Sequence, residues 1–466
     1  MRYLKVNLFW RNQKLILFFL FFFIIHFCCQ LALFRVGEDK NLIVGDGVIY
    51  YSVLRSAVFD RDLKLGNEYE RFGENLASPD IIRANIGGGY YKNMLTVGPA
   101  ILWLPFFGIA HAAVKIFNVF GGNIPADGFS FPYQYSAAFG TLVYVLIGLG
   151  LCVKMMKFYF NKEITFLAVV GVFLASSLVY YTLIEASMAH GASFFVIALL
   201  FYRCLFYRDE SSAGYWFSIG ILGGLAFLMR YQDLAFLIIP GFFAFFYFIN
   251  LLKKMDYKAI LVFFRNLLFC LFAITIAAAP QFLFWKILYG SFLSYPFVVR
   301  TSIFQADIFS SLFSSWQGLF TITPITLPAV MGLFLLNKRN QKMALALLLC
   351  LVVQIYIDGM FRSATLGLIP RISGLGDAFG ARRLVNCAPI FIFGLAALLD
   401  WLMNNANLKK VFIYSLLSIF IVWNALFMVQ YKLNLIPSDD YLNFKEMVTD
   451  KFTLPFMIIE HIKGKV

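Results

Sequence analysis

Runs of about 20 apolar residues recur along almost the whole chain, and a helix needs ~20 such residues to cross the hydrocarbon of a bilayer. They occupy residues 15–34, 133–153, 164–183, 191–207, 213–229, 233–252, 259–283, 317–336, 343–357, 386–402 and 411–430. Only 14% of the 466 residues are charged and 61% are hydrophobic, against about 25% and 45–50% in a soluble domain. A water-soluble enzyme is excluded. The expected fold is an all-α polytopic membrane protein of about eleven transmembrane helices. Its parts are a cytoplasmic segment and first span (1–34), a long first external loop (35–132), a ten-span membrane domain (133–430) with external loops at 284–316 and 358–385, and a short external tail (431–466).

Charge fixes the orientation. With the N-terminus inside, the cytoplasmic side carries 18 Lys and Arg against 5 Asp and Glu, and the rest of the chain 21 against 20, as the positive-inside rule requires. The net charge of +14 is therefore a topology signal, and nucleic acid is not an expected partner. Residues 97–117 are also apolar, but a twelfth crossing there would turn the basic loops outward. With Pro99 and Pro105 inside it, this stretch is expected to be juxtamembrane or re-entrant. The seven cysteines lie mostly within apolar runs without CxxC spacing, so neither a disulfide framework nor a zinc site is expected. The cytoplasmic loops are too short to hold a site, which places the chemistry on the outer face.

Candidates for that chemistry fall in the outer segments. Asp46 stands between Gly45 and Gly47, either as a helix N-cap or as a general base at the mouth of a membrane cavity. In residues 48–65 after it, Tyr51, Leu54 and Val58 share one helical face while Arg55, Asp60 and Asp62 lie elsewhere, the pattern of a helix lying at the membrane surface. Gly87-Gly88-Gly89 precede Lys92; the glycines suit a turn or a phosphate approached by backbone N–H groups, and the ammonium suits the interface or an anionic headgroup. Glu185 and His190, five residues apart, fit an acid/base pair or two metal ligands, which is too few to define a metal site. A divalent metal stays open as a cofactor. Arg230 and Asp233 meet between two spans, where charge is costly unless paired or in a wet cavity. The most polar stretch, 358–383, holds Arg362, Arg371, Asp377, Arg382 and Arg383 among glycines. Guanidinium forks suit phosphate, and the outer end of a span is not where anchoring cations are expected.

An Asp in the first external loop, a juxtamembrane helix, a basic residue before a short apolar segment, and polar external residues around Glu185 and Arg382/Arg383 together resemble the GT-C superfamily of polyprenyl-phosphate-dependent glycosyltransferases, near its protein O-mannosyltransferase and lipid A aminoarabinose transferase branch. The resemblance covers most of the chain in layout and short motifs in sequence. It implies that Asp46 is the catalytic Asp and that Lys92 faces the carrier phosphate, the anion that the forks of Arg382 and Arg383 suit. It also implies a lipid-linked sugar donor, a glycan, lipid or protein acceptor, inversion at the sugar, and a site facing outward from a bacterial inner or plasma membrane. Three departures stand out. Gly47 follows Asp46 where some members have a second acid, Gly98-Pro99-Ala100 stands where a Pro-Pro pair is common, and about 36 residues follow the last span in place of a large external domain. An O-antigen-type polymerase or a lipid-linked sugar flippase remains the alternative.

Overall fold

In the computed structural model of the protein, residues 13–36, 41–72, 84–294, 304–366, 378–405, 409–437 and 441–462 are described. Every apolar run is helical. The first span is the helix Gln13–Val36, and the later runs form Phe131–Met156, His190–Phe206, Ala213–Met229, Tyr257–Tyr289, Gln341–Leu366 and Lys410–Lys432. Tyr231–Leu237 is a 3-10 turn running into Ile238–Lys254, and Arg382–Cys387 is another running into Ala388–Asn405. Seven continuous helices among the described residues are long and apolar enough to cross a membrane. The protein is an all-α integral membrane protein, and the one small sheet among the described residues pairs Asn85–Gly87 with Tyr90–Tyr91.

Two expected spans are broken. Residues 164–183 form Lys162–Leu174 and Ser177–Leu183, bent by 69°. Carbonyls freed by such a bend must find donors inside the protein, and Asn424 supplies them: its Nδ2 donates to Leu174 O at 2.8 Å and Ser176 O at 3.1 Å. Residues 317–336 are likewise divided into Leu319–Ile322 and Thr326–Leu336. Conversely, Gly98–Val119 is one continuous 22-residue helix despite Pro99 and Pro105. Pro99 sits in the first turn, where no helical N–H is lost, and Pro105 is accommodated within the helix, as happens in membrane helices. This segment is not interrupted, and it is among the helices long enough to cross.

Small residues let helix backbones touch, as membrane helices favour. A Cβ at Gly220 would lie 2.3 Å from Cys270 O, and one at Gly224 would lie 2.5 Å from the Ala277 Cβ, so Ala213–Met229 packs flush on Tyr257–Tyr289. Gly332 and Gly394 make the equivalent crossing between Thr326–Leu336 and Ala388–Asn405, where a Cβ at Gly332 would stand 1.8 Å from Gly394 O.

The helix Asp46–Arg55 is not a surface helix. All nine residues from Gly47 to Arg55 are buried, because this short helix packs on Gly98–Val119 rather than facing water. Arg55, expected on its solvated side, is inside: it is ion-paired with Asp60, donates to Glu68 Oε1 at 2.8 Å and to Asp127 O at 3.0 Å, and lies 4.4 Å over the Phe129 ring.

Candidate active site

The site is built where the chain turns between helices. Gly45 has φ 56 and serves as the N-cap residue of Asp46–Arg55. No side chain caps this helix; its first N–H groups are met by backbone, Gly47 N donating to Val44 O at 3.0 Å and Val48 N to Gly45 O at 3.1 Å. Asp46 is thus not a cap. Its carboxylate, 28% exposed, turns to the guanidinium of Arg382, 3.5 Å away and 13% exposed. The flanking glycines have separate causes. Gly45 takes the left-handed turn, and a Cβ at Gly47 would meet Ser187 Oγ at 2.4 Å. A second acid at position 47 would not fit.

Ser187 belongs to the segment that follows the bent helix. Gln30 of the first span holds that segment by donating to Leu183 O at 2.9 Å and Ile184 O at 3.2 Å. Glu185, half-buried, accepts a 2.5 Å hydrogen bond from Tyr180. His190 begins the next helix, is 4% exposed, has its Nδ1 without a hydrogen bond among the described residues, and packs its ring 4.3 Å from that of Tyr181. Tyr181 in turn donates to Phe379 O at 2.9 Å, tying this segment to the chain just before Arg382. Gly380, at φ 65 and with Ser177 Oγ 2.1 Å from where its Cβ would be, makes the turn that delivers Arg382. Tyr50 lies one turn past Asp46; burial, then the Asp46 charge, pushes its phenol well above the ordinary range, so it stays neutral.

The arginines come from three elements. Arg230 ends the helix Ala213–Met229 in extended backbone (φ −157) and donates to Arg383 O at 3.3 Å and Gln232 Oε1 at 3.2 Å. It does not pair with Asp233, contrary to the ion pair the sequence suggested. Asp233 is fully buried and accepts from Ser193 and Asn386, so it is a polar knot between helices. Arg362 is also structural. It is 3% exposed and gives Nη1 to Trp316 O at 2.8 Å and Nη2 to Gln317 O at 2.9 Å. Arg383 lies 3.6 Å from Asp358, which also stands 3.8 Å from Arg362. Among the described residues, the guanidiniums of Arg382 and Arg383 donate no hydrogen bond to the protein.

Lys92 stays apart. It follows the Asn85–Tyr91 hairpin, half-buried and without an ion pair among the described residues, and its loop docks on the Arg230 turn through Thr96 Oγ1 to Met229 O at 2.9 Å and Tyr231 to Leu95 O at 3.3 Å. The three glycines before it form the hairpin turn at positive φ. They do not open a helix, and the Gly87 N–H is taken by Asn85 Oδ1 at 2.7 Å. Asp377 and Arg371 lie outside the described residues. Among the described residues no three His, Cys, Asp or Glu side chains gather into a metal site. Residues the sequence did not single out are Tyr181, Gln30 and Asp358. Only the last had a signal, its i, i+4 spacing to Arg362 at the end of an apolar run.

Fold and site define an all-α polytopic membrane protein with a carboxylate and an arginine cluster gathered at helix ends. No protein-family model matches the chain, and no curated protein matches it. Among solved structures, that of ArnT from Cupriavidus metallidurans in the apo state aligns with 88% of this chain and 72% of its own, at 11% sequence identity and a TM-score of 0.45.

Proposed function

We propose that the protein is a membrane glycosyltransferase of the GT-C kind, which transfers a sugar from a polyprenyl-phosphate donor to an acceptor hydroxyl at the extracytoplasmic face with inversion. The observation that carries this reading is the partly exposed Asp46 carboxylate beside Arg382, with Arg383 close in sequence and with the donors of both arginines uncommitted among the described residues. Arg382 and Arg383 stand beside Asp46 and Asp358 at 3.5 Å and 3.6 Å without committing their N–H donors among the described residues. Donors left in that way suit an anion whose charge grows during reaction. A sugar phosphodiester carries one negative charge, and the phosphate monoester it leaves behind carries about −1.5 to −2 near neutral pH.

The chemistry then needs no acid. The acceptor oxygen attacks the anomeric carbon as Asp46 takes its proton, and the bond to the phosphate oxygen breaks with its electron pair moving onto the phosphate, where guanidinium donors stabilise it. One base and no enzymic nucleophile give inversion. Glu185 and His190, whose segment lies near the Arg382 charge, are the residues we assign to the acceptor.

The deciding experiment offers the purified protein in lipid nanodiscs a panel of labelled polyprenyl-phosphate sugars with glycan, lipid and peptide acceptors. Consumption of one donor, with release of polyprenyl phosphate and the opposite anomer in the product, is expected. Use only of pyrophosphate-linked oligosaccharides, or movement of intact lipid-linked sugar across vesicles, would overturn the reading.

A further inference from the structure

Asp358 is a buried carboxylate, 4% exposed, set between two guanidiniums at 3.6 Å and 3.8 Å. Both distances exceed that of a hydrogen bond, so the attraction is one of charge. A carboxylate in such a place is costly to keep unless its charge is needed. Its two neighbours differ. Arg362, one turn along the same helix, is already held by the carbonyls of Trp316 and Gln317. Arg383 comes from a separate element, and among the described residues Asp358 is its one anionic neighbour within ion-pair distance. The Phe361 ring, 5.9 Å from the Arg383 guanidinium, bounds it on another side. Arg383 also anchors its own backbone, since its carbonyl accepts from Gln232 at 2.8 Å and from Arg230 at 3.3 Å. With the main chain fixed and the side-chain donors free, the direction of the guanidinium depends on what attracts it.

We propose that Asp358 is a positioning residue that holds the Arg383 guanidinium in the direction of the donor phosphate, with Arg362 as the fixed post that keeps Asp358 itself in place. The inference rests on the glycosyltransferase reading above, and it adds a residue that touches no substrate. The carboxylate orients Arg383 without using up its donors, because at 3.6 Å it attracts the charge while leaving the N–H fork free for two phosphate oxygens.

The test is binding of undecaprenyl phosphate to the detergent-purified full chain, in Asp358→Asn, Asp358→Glu and Arg383→Gln and in the doubles of each Asp358 variant with Arg383→Gln. Asp358→Asn should weaken binding about tenfold or more, the scale of a misdirected charge-assisted contact. Asp358→Glu keeps the charge while moving it by one methylene, and should weaken binding severalfold. Both effects should vanish in the Arg383→Gln background, the non-additivity that marks two residues acting through one contact. A merely structural role would not show that coupling. Equal losses in the two backgrounds, or unchanged binding in both Asp358 variants while the wild type binds, would overturn the proposal and leave the glycosyltransferase reading standing. No binding by the wild-type protein would overturn both.

Discussion

Replacing Asp46 with asparagine separates what this residue does for the fold from what it does for chemistry. The carboxylate caps no helix, so its structural worth lies in the 3.5 Å pair with Arg382 and its place in the first helical turn. A pair with partners 28% and 13% exposed is half-buried, so its loss costs more than the about 0.2–1 kcal/mol of a surface pair and less than the ~3–5 kcal/mol of a fully buried one, and an acid at a helix N-terminus adds ~0.3–1 kcal/mol. Losing a general base costs ~10²–10⁴ in rate, or roughly 3–5 kcal/mol of barrier at about 1.4 kcal/mol per tenfold. The structural cost falls on the unfolding midpoint and the chemical one on the rate, so the two are read separately. The assay is single-turnover transfer from a labelled polyprenyl-phosphate sugar, beside thermal unfolding in the same detergent. Turnover should fall ~10²–10⁴-fold in protein that is still folded and still binds donor, with a midpoint lowered only by the worth of a half-buried pair. Turnover within a few-fold of wild type would refute Asp46 as the base, and Glu185 would be the next carboxylate to test.

Three further outcomes are expected. Glu68, buried beside Arg55, has its carboxyl raised to about 7 by burial, so the folded protein keeps a proton that the unfolded chain releases above its ordinary carboxylate pKa. The stability this contributes is full below that ordinary value and is lost as pH rises through about 7. Glu68→Gln should flatten that slope, by up to about 3 kcal/mol at ~1.36 kcal/mol per unit, and parallel unfolding-versus-pH curves for the two proteins would contradict it. Gly332→Ala places a Cβ 1.8 Å from Gly394 O; backbone cannot yield as a side chain can, so a loss of about 1–3 kcal/mol in detergent unfolding is expected, and an unchanged midpoint would show that the crossing is not tight. Single cysteines introduced in 120–130 and 440–460 should be labelled from outside, because the charge balance calls for eleven spans with Gly98–Val119, though long enough to cross, outside that count. Labelling of either region only from the cytoplasm would overturn that threading.

The helices were legible because their cause is local. In a bilayer a run of apolar residues has no water to satisfy its backbone, so it must bond to itself as a helix, and each run from 15–34 to 411–430 did so, 164–183 and 317–336 in two pieces each. Gly45-Asp46-Gly47 was legible as a turn carrying a carboxylate, and Arg382 and Arg383 as cations at the wrong end of a span. The partners were not. Asp46 and Arg382 lie 336 residues apart and meet at 3.5 Å, and nothing in either neighbourhood names the other.

The same limit explains the misreadings. Periodicity reports which residues of the 46–55 helix share a face. What covers the opposite face is decided by Gly98–Val119 and the Phe129 segment, and these bury Arg55. Spacing set Arg230 near Asp233, but Ser193 and Asn386 arrive from distant helices to take the Asp233 carboxylate, and Arg230 turns to the Arg383 carbonyl instead. Hydropathy is a property of a segment and survives in one dimension. A charge's partner is chosen by distance in space, so the sequence by itself determined the helices and the kinds of side chain available, and only the packing of those helices decided which arginines are bound into the fold and which are left with donors to offer.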